Sequence, residues 1–329
     1  MRVTCGLLLC AMLAAAAPAF AQAPEGYVFI PGEWYRMPTH FGPATGPRKG
    51  PDRKAFDWTN SPKTTALSVS FLGKREQMQK LLPPGFSISG EPVVTVTMTY
   101  YTEIAWLAGR GYNTLGISFP VTFTGKQDKA SGTFLLILWE NLTDPIITGR
   151  EELGFSKLYA ELPPARMFAD TARVTASWLE FPFMEMELTG LTQAQLPGAP
   201  ASPASPASPA SPASPASPAS PASPASPASP ASPALRGQMH YKYMPRTGEW
   251  GKADASYAVI TPAGGSTQRT LEMWRGKGTV KFHRARWEDM PTQYMIVNAF
   301  ADLEIVEFRG ATMTKSVGGK DLSDQRIIR

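Results

Sequence analysis

Beyond Pro62 the chain falls into a rhythm of apolar and polar positions. Leu67, Val69 and Phe71 alternate with Ser68 and Ser70, the period of two that turns one strand face to a core and the other to water. Gly73 ends this run. Residues 74–82 read as a short amphipathic helix with Met78, Leu81 and Leu82 on one side, stopped by Pro83-Pro84-Gly85. Strands then dominate, and the pattern predicts them over 93–101, 112–123, 133–139, 173–180 and 184–188. Further strands are predicted over 240–244, 257–260, 278–282 and 306–315, where β-branched, aromatic and apolar residues sit between Gly and Pro breaks. A second helix is predicted over 290–300, with Pro291 suited to a first turn. Many short strands and few helices give a mainly β, α+β fold class, a barrel or sandwich with peripheral helices.

Two stretches break the rhythm. Residues 22–62 are rich in Pro, Gly and charge and read as an irregular arm, with a short strand over 26–35. Residues 201–233 are eleven Ala-Ser-Pro units inside a low-complexity insertion over 197–235. A Pro at every third position removes backbone donors, and Ala and Ser offer nothing to bury, so a solvated polyproline-II-like segment is expected. The strands after it continue the pattern of those before it. The insertion therefore reads as an expanded loop within one domain over 63–315, leaving 316–329 as a tail; a spacer between two domains is the competing reading.

The first 21 residues have the form of a secretory leader. A basic start at Arg2 precedes an apolar stretch over 5–17, too short to span a bilayer, and Ala19-Phe20-Ala21 supplies a cleavage pattern before Gln22. The protein is thus expected to be exported, to the periplasm or beyond, with no membrane insertion after processing. Both cysteines, Cys5 and Cys10, lie in that leader, so the processed chain has no disulfide, Cys nucleophile or Cys ligand. The net charge of +5 is spread along the chain and lacks the basic stripe of a nucleic-acid binder. The three histidines, His40, His240 and His283, are far apart, which argues against a His-rich metal centre. No phosphate loop, Gly-x-Ser-x-Gly elbow or His-Glu-x-x-His run occurs. Asn141-Leu142-Thr143 has the glycosylation triplet but adjoins an apolar run expected to be buried.

The chemistry concentrates in residues 144–158, where an Asp-Arg-Glu-Glu sequence of charges leads to Lys157 among Phe155, Leu158 and Tyr159. A lysine in apolar company has its charged form disfavoured and can expose a nucleophilic amine. The bland reading is a lysine whose head reaches solvent. A Ser156–Lys157 dyad is excluded on an extended strand, because neighbouring side chains point to opposite faces.

Gly149-Arg150-Glu151-Glu152-Leu153-Gly154-Phe155-Ser156-Lys157 resembles the active-site segment of the acetoacetate decarboxylase family. Leu81-Leu82-Pro83-Pro84-Gly85-Phe86, Phe119-Pro120-Val121-Thr122-Phe123, Trp274-Arg275-Gly276 and Glu304-Ile305-Val306 resemble other parts of that family in the same order, over about residues 64–315. The resemblance implies an antiparallel, cone-like β-barrel with an apolar pocket and Lys157 as the Schiff-base nucleophile. It further implies a small-molecule keto-acid substrate such as acetoacetate, no metal or organic cofactor, and decarboxylation through a protonated imine. Arg150 and Glu151 are the supporting or substrate-binding residues, or a structural ion pair at a strand–loop junction. Three positions depart from the family. Leu158 stands where a second lysine is expected, Thr114 where a glutamate is, and no arginine lies near Thr64-Thr65. With Leu158 there, desolvation alone would have to activate Lys157. Two other readings follow: an imine-forming aldolase or dehydratase on oxo acids, and a non-catalytic exported binding protein. Self-association is left open.

Overall fold

The computed structural model describes residues 28–196 and 235–329. The leader expected over 1–21 lies outside the described residues, as does the Ala-Ser-Pro insertion up to residue 234. The chain divides into two units, 1–56 and 57–329. In the first, a 3-10 turn spans Thr39–Phe41, and Glu33 is ion-paired with Lys49 (3.3 Å) and Arg53. The Arg48 guanidinium lies 3.8 Å from the centre of the Trp34 ring. The strand expected near 26–35 does not form over 28–35: Gly32, at φ 80°, sits in a turn that ends any extended run.

The described residues of the second unit form fourteen strands. These are β1 (Lys63–Leu72), β2 (Phe86–Ile88), β3 (Val93–Thr102), β4 (Tyr112–Thr124), β5 (Lys129–Glu140), β6 (Lys157–Tyr159) and β7 (Arg166–Phe168). They continue with β8 (Thr171–Trp178), β9 (Phe181–Gln193), β10 (Leu235–Pro245), β11 (Ala253–Pro262), β12 (Arg269–Phe282), β13 (Glu307–Val317) and β14 (Arg326–Ile328). The helices are short: α1 (Arg75–Gln79), α2 (Thr143–Thr148) and α3 (Tyr294–Ala301). All fourteen strands join one sheet, in the order β14-β11-β10-β5-β4-β3-β1-β13-β12-β9-β8-β7, with β2 added to β4 and β6 to β5. The fold is mainly β with few helices. Among the described pairings β14 and β7 are not joined to each other, so these hydrogen bonds leave the path open rather than closing a barrel.

The alternation at Leu67, Val69 and Phe71 sets the register. Leu67, Met98, Leu115 and Trp139 form one rung across β1, β3, β4 and β5, and none retains exposed surface. Trp139 also donates its indole N–H to Gln293 Oε1 at 2.7 Å and packs on Phe183 and Phe300. These contacts fix α3 on this face of the sheet. The helix predicted from 290 starts only at Tyr294, because residues 290–293 form a turn and Gln293, at φ −130°, is not helical. Pro291 therefore lies in the turn that leads into the helix.

Strand β5 has two parallel neighbours on one edge. Residues 130–134 pair with β10, and residues 138–140 pair with β6. The edge of β5 thus passes from one partner to the other around Leu135–Ile137. The connection from β5 to β6 is a segment that the apolar periodicity did not reveal: α2 followed by a π-helical turn, Gly149–Leu153.

Candidate active site

Strand β5 ends at Glu140, the chain crosses over through α2 and the π-helical turn, and it returns as β6 beside its starting point. The return is stitched by Leu138 N–H donating to Ser156 O and Ala160 N–H donating to Glu140 O, both at 3.0 Å. Lys157 thereby stands opposite Leu138, on the same side of the sheet as Glu140 and away from the Trp139 rung. Its ammonium lies 2.8 Å from Glu140 Oε1 and donates to Pro145 O at 3.0 Å. Lys157 is 6% exposed and Glu140 is 0% exposed, so the pair is withdrawn from water. Ser156 is exposed while Lys157 is buried, so their side chains do point apart.

Three features hold the lysine in place. Arg150 donates from its guanidinium to Lys157 O at 2.8 Å, a bond to the main chain rather than to the amine. The Phe155 ring centre lies 5.8 Å from Lys157 Nζ. Gly149 leaves the space the side chain needs, since a Cβ there would fall 2.3 Å from Lys157 Cε and 2.6 Å from Nζ. Gly154 serves a second lysine in the same way. It closes the π-helical turn at φ 81°, and a Cβ on it would lie 2.6 Å from the Lys242 side chain. The Lys242 ammonium donates to Glu151 O at 2.6 Å. Burial pulls the Lys242 amine below its ordinary range, with Glu152 and Glu151 opposing.

Besides Lys157, the polar groups around Glu140 come from β3 and β4. Thr114 is its direct cross-strand partner and is buried. Tyr112, two residues earlier, pairs with Tyr101 of β3, and the two rings stack at 5.1 Å. Burial, with the Glu140 charge second, pushes the Tyr101 phenol up to about 12 and holds Tyr112 well above its ordinary value. Both are therefore neutral hydroxyl donors at physiological pH. Burial likewise raises the Glu140 carboxyl above its ordinary range, and the Lys157 charge partly counters it.

His240, from β10, is fully buried. Its ring stacks on Phe155 at 4.0 Å, and its Nε2 lies 2.9 Å from Leu153 O. Burial pulls its pKa down to about 4, so it is neutral.

A cavity of about 570 Å³ opens where β5 changes partners, lined among others by Phe134, Leu158, Tyr241, Lys242, Met295 and Phe300. Arg150 and Ser156 reach it, but Lys157 is not among its lining residues. Leu158, whose neighbour in β5 is Trp139, faces it from the opposite side of β6. The structure thus separates two residues that the sequence reading grouped: Arg150 borders this cavity, and Lys157 faces Glu140.

The family model for acetoacetate decarboxylase matches residues 36–318. The chain belongs to the acetoacetate decarboxylase family. A solved acetoacetate decarboxylase is 13% identical, with 81% of this chain and 88% of that one covered and a TM-score of 0.55. An acetoacetate decarboxylase-like enzyme from Sphingomonas wittichii RW1 is 17% identical over 79% of this chain and 91% of that one, with a TM-score of 0.51. The enduracididine biosynthesis enzyme MppR, solved with pyruvate, is 14% identical over 84% of this chain and 94% of that one, with a TM-score of 0.52. None of the curated proteins matches. At these identities the likeness is one of fold.

Within this family member, the residue that sequence reasoning missed is Glu140. The sequence reading gave Lys157 apolar company, and the structure adds a carboxylate that touches the amine. The position resembling the family's glutamate, Thr114, faces Glu140 across the β4–β5 ladder. A carboxylate therefore occupies this rung from the neighbouring strand. A signal was present in the sequence. Residues 134–139 are apolar at six consecutive positions, which marks a strand buried on both faces. A charge at the next position, 140, was therefore set to be buried and to need a partner.

Proposed function

We propose that this chain is a Schiff-base lyase that decarboxylates a β-keto acid, with Lys157 as the nucleophile. The observation that carries this reading is a buried lysine amine held 2.8 Å from a buried carboxylate, at the end of the Gly-Arg-Glu segment of a chain in this family. The Lys157 amine adds to the ketone carbon, and water leaves to give a protonated imine. The bond to the carboxylate carbon then breaks, carbon dioxide departs, and its electron pair passes through the α-carbon into the imine nitrogen. Protonation of the resulting enamine and hydrolysis release the ketone and restore the amine. The iminium is itself the electron sink, so the steps call for no metal or organic cofactor. The neutral phenols of Tyr101 and Tyr112 supply donors for the substrate carboxylate, in place of the arginine that the family resemblance expects and the sequence lacks beside Thr64-Thr65. In this reading the substrate works on the Lys157 face of a cone-like sheet, and the first 21 residues direct the protein out of the cytoplasm. N-terminal sequencing of the exported protein should begin at Gln22.

A second reaction is favoured by one feature. Leu158 places an apolar side chain, packed against the core, where the family resemblance expects a cation. MppR binds pyruvate in its solved complex. An imine-forming aldolase or dehydratase on an oxo acid uses the same Lys157 adduct with a different bond broken. Incubation with acetoacetate, pyruvate and longer β-keto acids, borohydride reduction and peptide mass spectrometry test the shared step. An adduct on Lys157 is expected, and product analysis then separates carbon dioxide release from condensation or dehydration. A folded sample with no adduct on any of these acids would replace the enzyme reading with that of a binding protein.

A further inference from the structure

We propose that Glu140 is the proton carrier of the Lys157 site, a role that rests on the imine reading above. It takes one proton from the Lys157 ammonium, which frees the amine to attack the substrate carbonyl. As the amine adds, a second N–H proton passes to the former carbonyl oxygen and gives the neutral carbinolamine. Glu140 then returns the first proton to that hydroxyl, which departs as water, leaving the iminium and a carboxylate. Atoms and charge balance within the pair and the substrate.

The geometry supports this at three points. Glu140 Oε1 is 2.8 Å from Lys157 Nζ, within reach of direct proton transfer. The residue is wholly buried, and its second oxygen, Oε2, has no hydrogen-bond partner among the described residues. A desolvated acceptor left unbonded is costly and rare. A substrate-derived hydroxyl on the carbon attached to Nζ would satisfy it. Burial also penalises the Glu140 charge and raises its carboxyl above the ordinary range, with the Lys157 charge partly countering, which makes it a readier proton acceptor than an exposed carboxylate.

The other titratable groups nearby do not fit the task. Tyr101 and Tyr112, facing Glu140 from β3 and β4, hold their protons far above neutral pH. His240, from β10, is kept neutral with Nε2 at Leu153 O. Lys242, also from β10, has its ammonium on backbone carbonyls. Arg150 is bonded to the main chain of Lys157.

The test measures the rate of borohydride-trappable imine on Lys157, with acetoacetate and pyruvate as probes, from pH 5 to 9. Three variants are compared with the parent: Glu140→Gln, Glu140→Asp and the cross-strand exchange Thr114→Glu/Glu140→Thr. Glu140→Gln should slow trapping about a hundredfold at pH 7 and change its pH profile, because solvent must then take the proton that Glu140 takes in the parent. The exchange, which returns a carboxylate to the same rung, should recover at least tenfold of that loss. A folded Glu140→Gln protein that traps at the parental rate with an unshifted profile overturns the proposal and leaves Lys157 as nucleophile. If Glu140→Gln does not fold, Glu140→Asp reads the same quantity: a drop of about tenfold supports the role, and the parental rate overturns it. A parent that forms no adduct overturns the imine reading itself, and this proposal with it.

Discussion

Replacing Lys157 by Met would leave Glu140, with no exposed surface, without the ammonium 2.8 Å away. Removing one partner of a buried ion pair costs about 3–5 kcal/mol, because the remaining charge can be neither solvated nor paired. Glu140 has one escape, which is to bind a proton. Burial already raises its carboxyl above the ordinary 4.5, and the Lys157 charge is the main force holding it down; without that charge it rises further. A carboxyl raised in the folded state is protonated at no cost below its unfolded value. Its contribution to stability is then lost as pH climbs from about 4.5 through the folded value, by up to about 1.4 kcal/mol per pH unit. The Lys157→Met protein should therefore be close to the parent near pH 4.5 and fall behind it by several kcal/mol at pH 7. Lys157→Met/Glu140→Leu, which removes both charges, should regain most of that loss. Guanidinium unfolding of the three proteins between pH 4.5 and 8 measures this. A single variant within about 1 kcal/mol of the parent at pH 7, the value of an exposed pair, would refute the reasoning. So would a double variant no more stable than the single.

Further outcomes follow from neighbouring residues. His240 is held neutral, with a pKa of about 4 against an ordinary 6.5, so its contribution is intact above about pH 6.5 and is lost as pH falls toward 4. That loss amounts to about 3 kcal/mol, and His240→Leu should flatten this part of the acid-unfolding curve. Gly149→Ala inserts a methyl into the volume of the Lys157 side chain. It should lower stability by about 1–3 kcal/mol and displace the amine, cutting borohydride trapping while leaving the far-UV circular dichroism unchanged. Deleting residues 201–233 shortens the connection between β9 and β10, two strands of one sheet. The closure entropy of about 1 kcal/mol so recovered should give a soluble protein of equal or slightly higher melting temperature. Loss of soluble protein would refute the placement of this segment as a loop.

Most of the strands were legible because a half-buried strand writes its environment locally. Leu67, Val69 and Phe71 alternate with serines, and each of the three is buried in β1. The Gly-Arg-Glu segment likewise marked Lys157. Less was readable where structure depends on partners far along the chain. The short strands β2, β6, β7 and β14 are three residues each, too few to show a period. The α2 and π-helical segment contains Pro145 and Gly149 and has no apolar stripe, so packing rather than propensity makes it helical.

By itself, then, the sequence determined a mainly β chain, the positions of its long strands and a lysine worth suspecting, since these rest on residues near one another along the chain. Only the tertiary structure decided what touches that lysine. Glu140 and Lys157 lie in different strands joined by a sixteen-residue crossover, 141–156, and meet because β6 lies parallel to β5 with Leu138 opposite Lys157. Parallel register is set by how the crossover packs, not by any local pattern. The same register turned Arg150 to the backbone of Lys157 and Leu158 to the cavity, and it brought the one buried carboxylate of β5 to the amine.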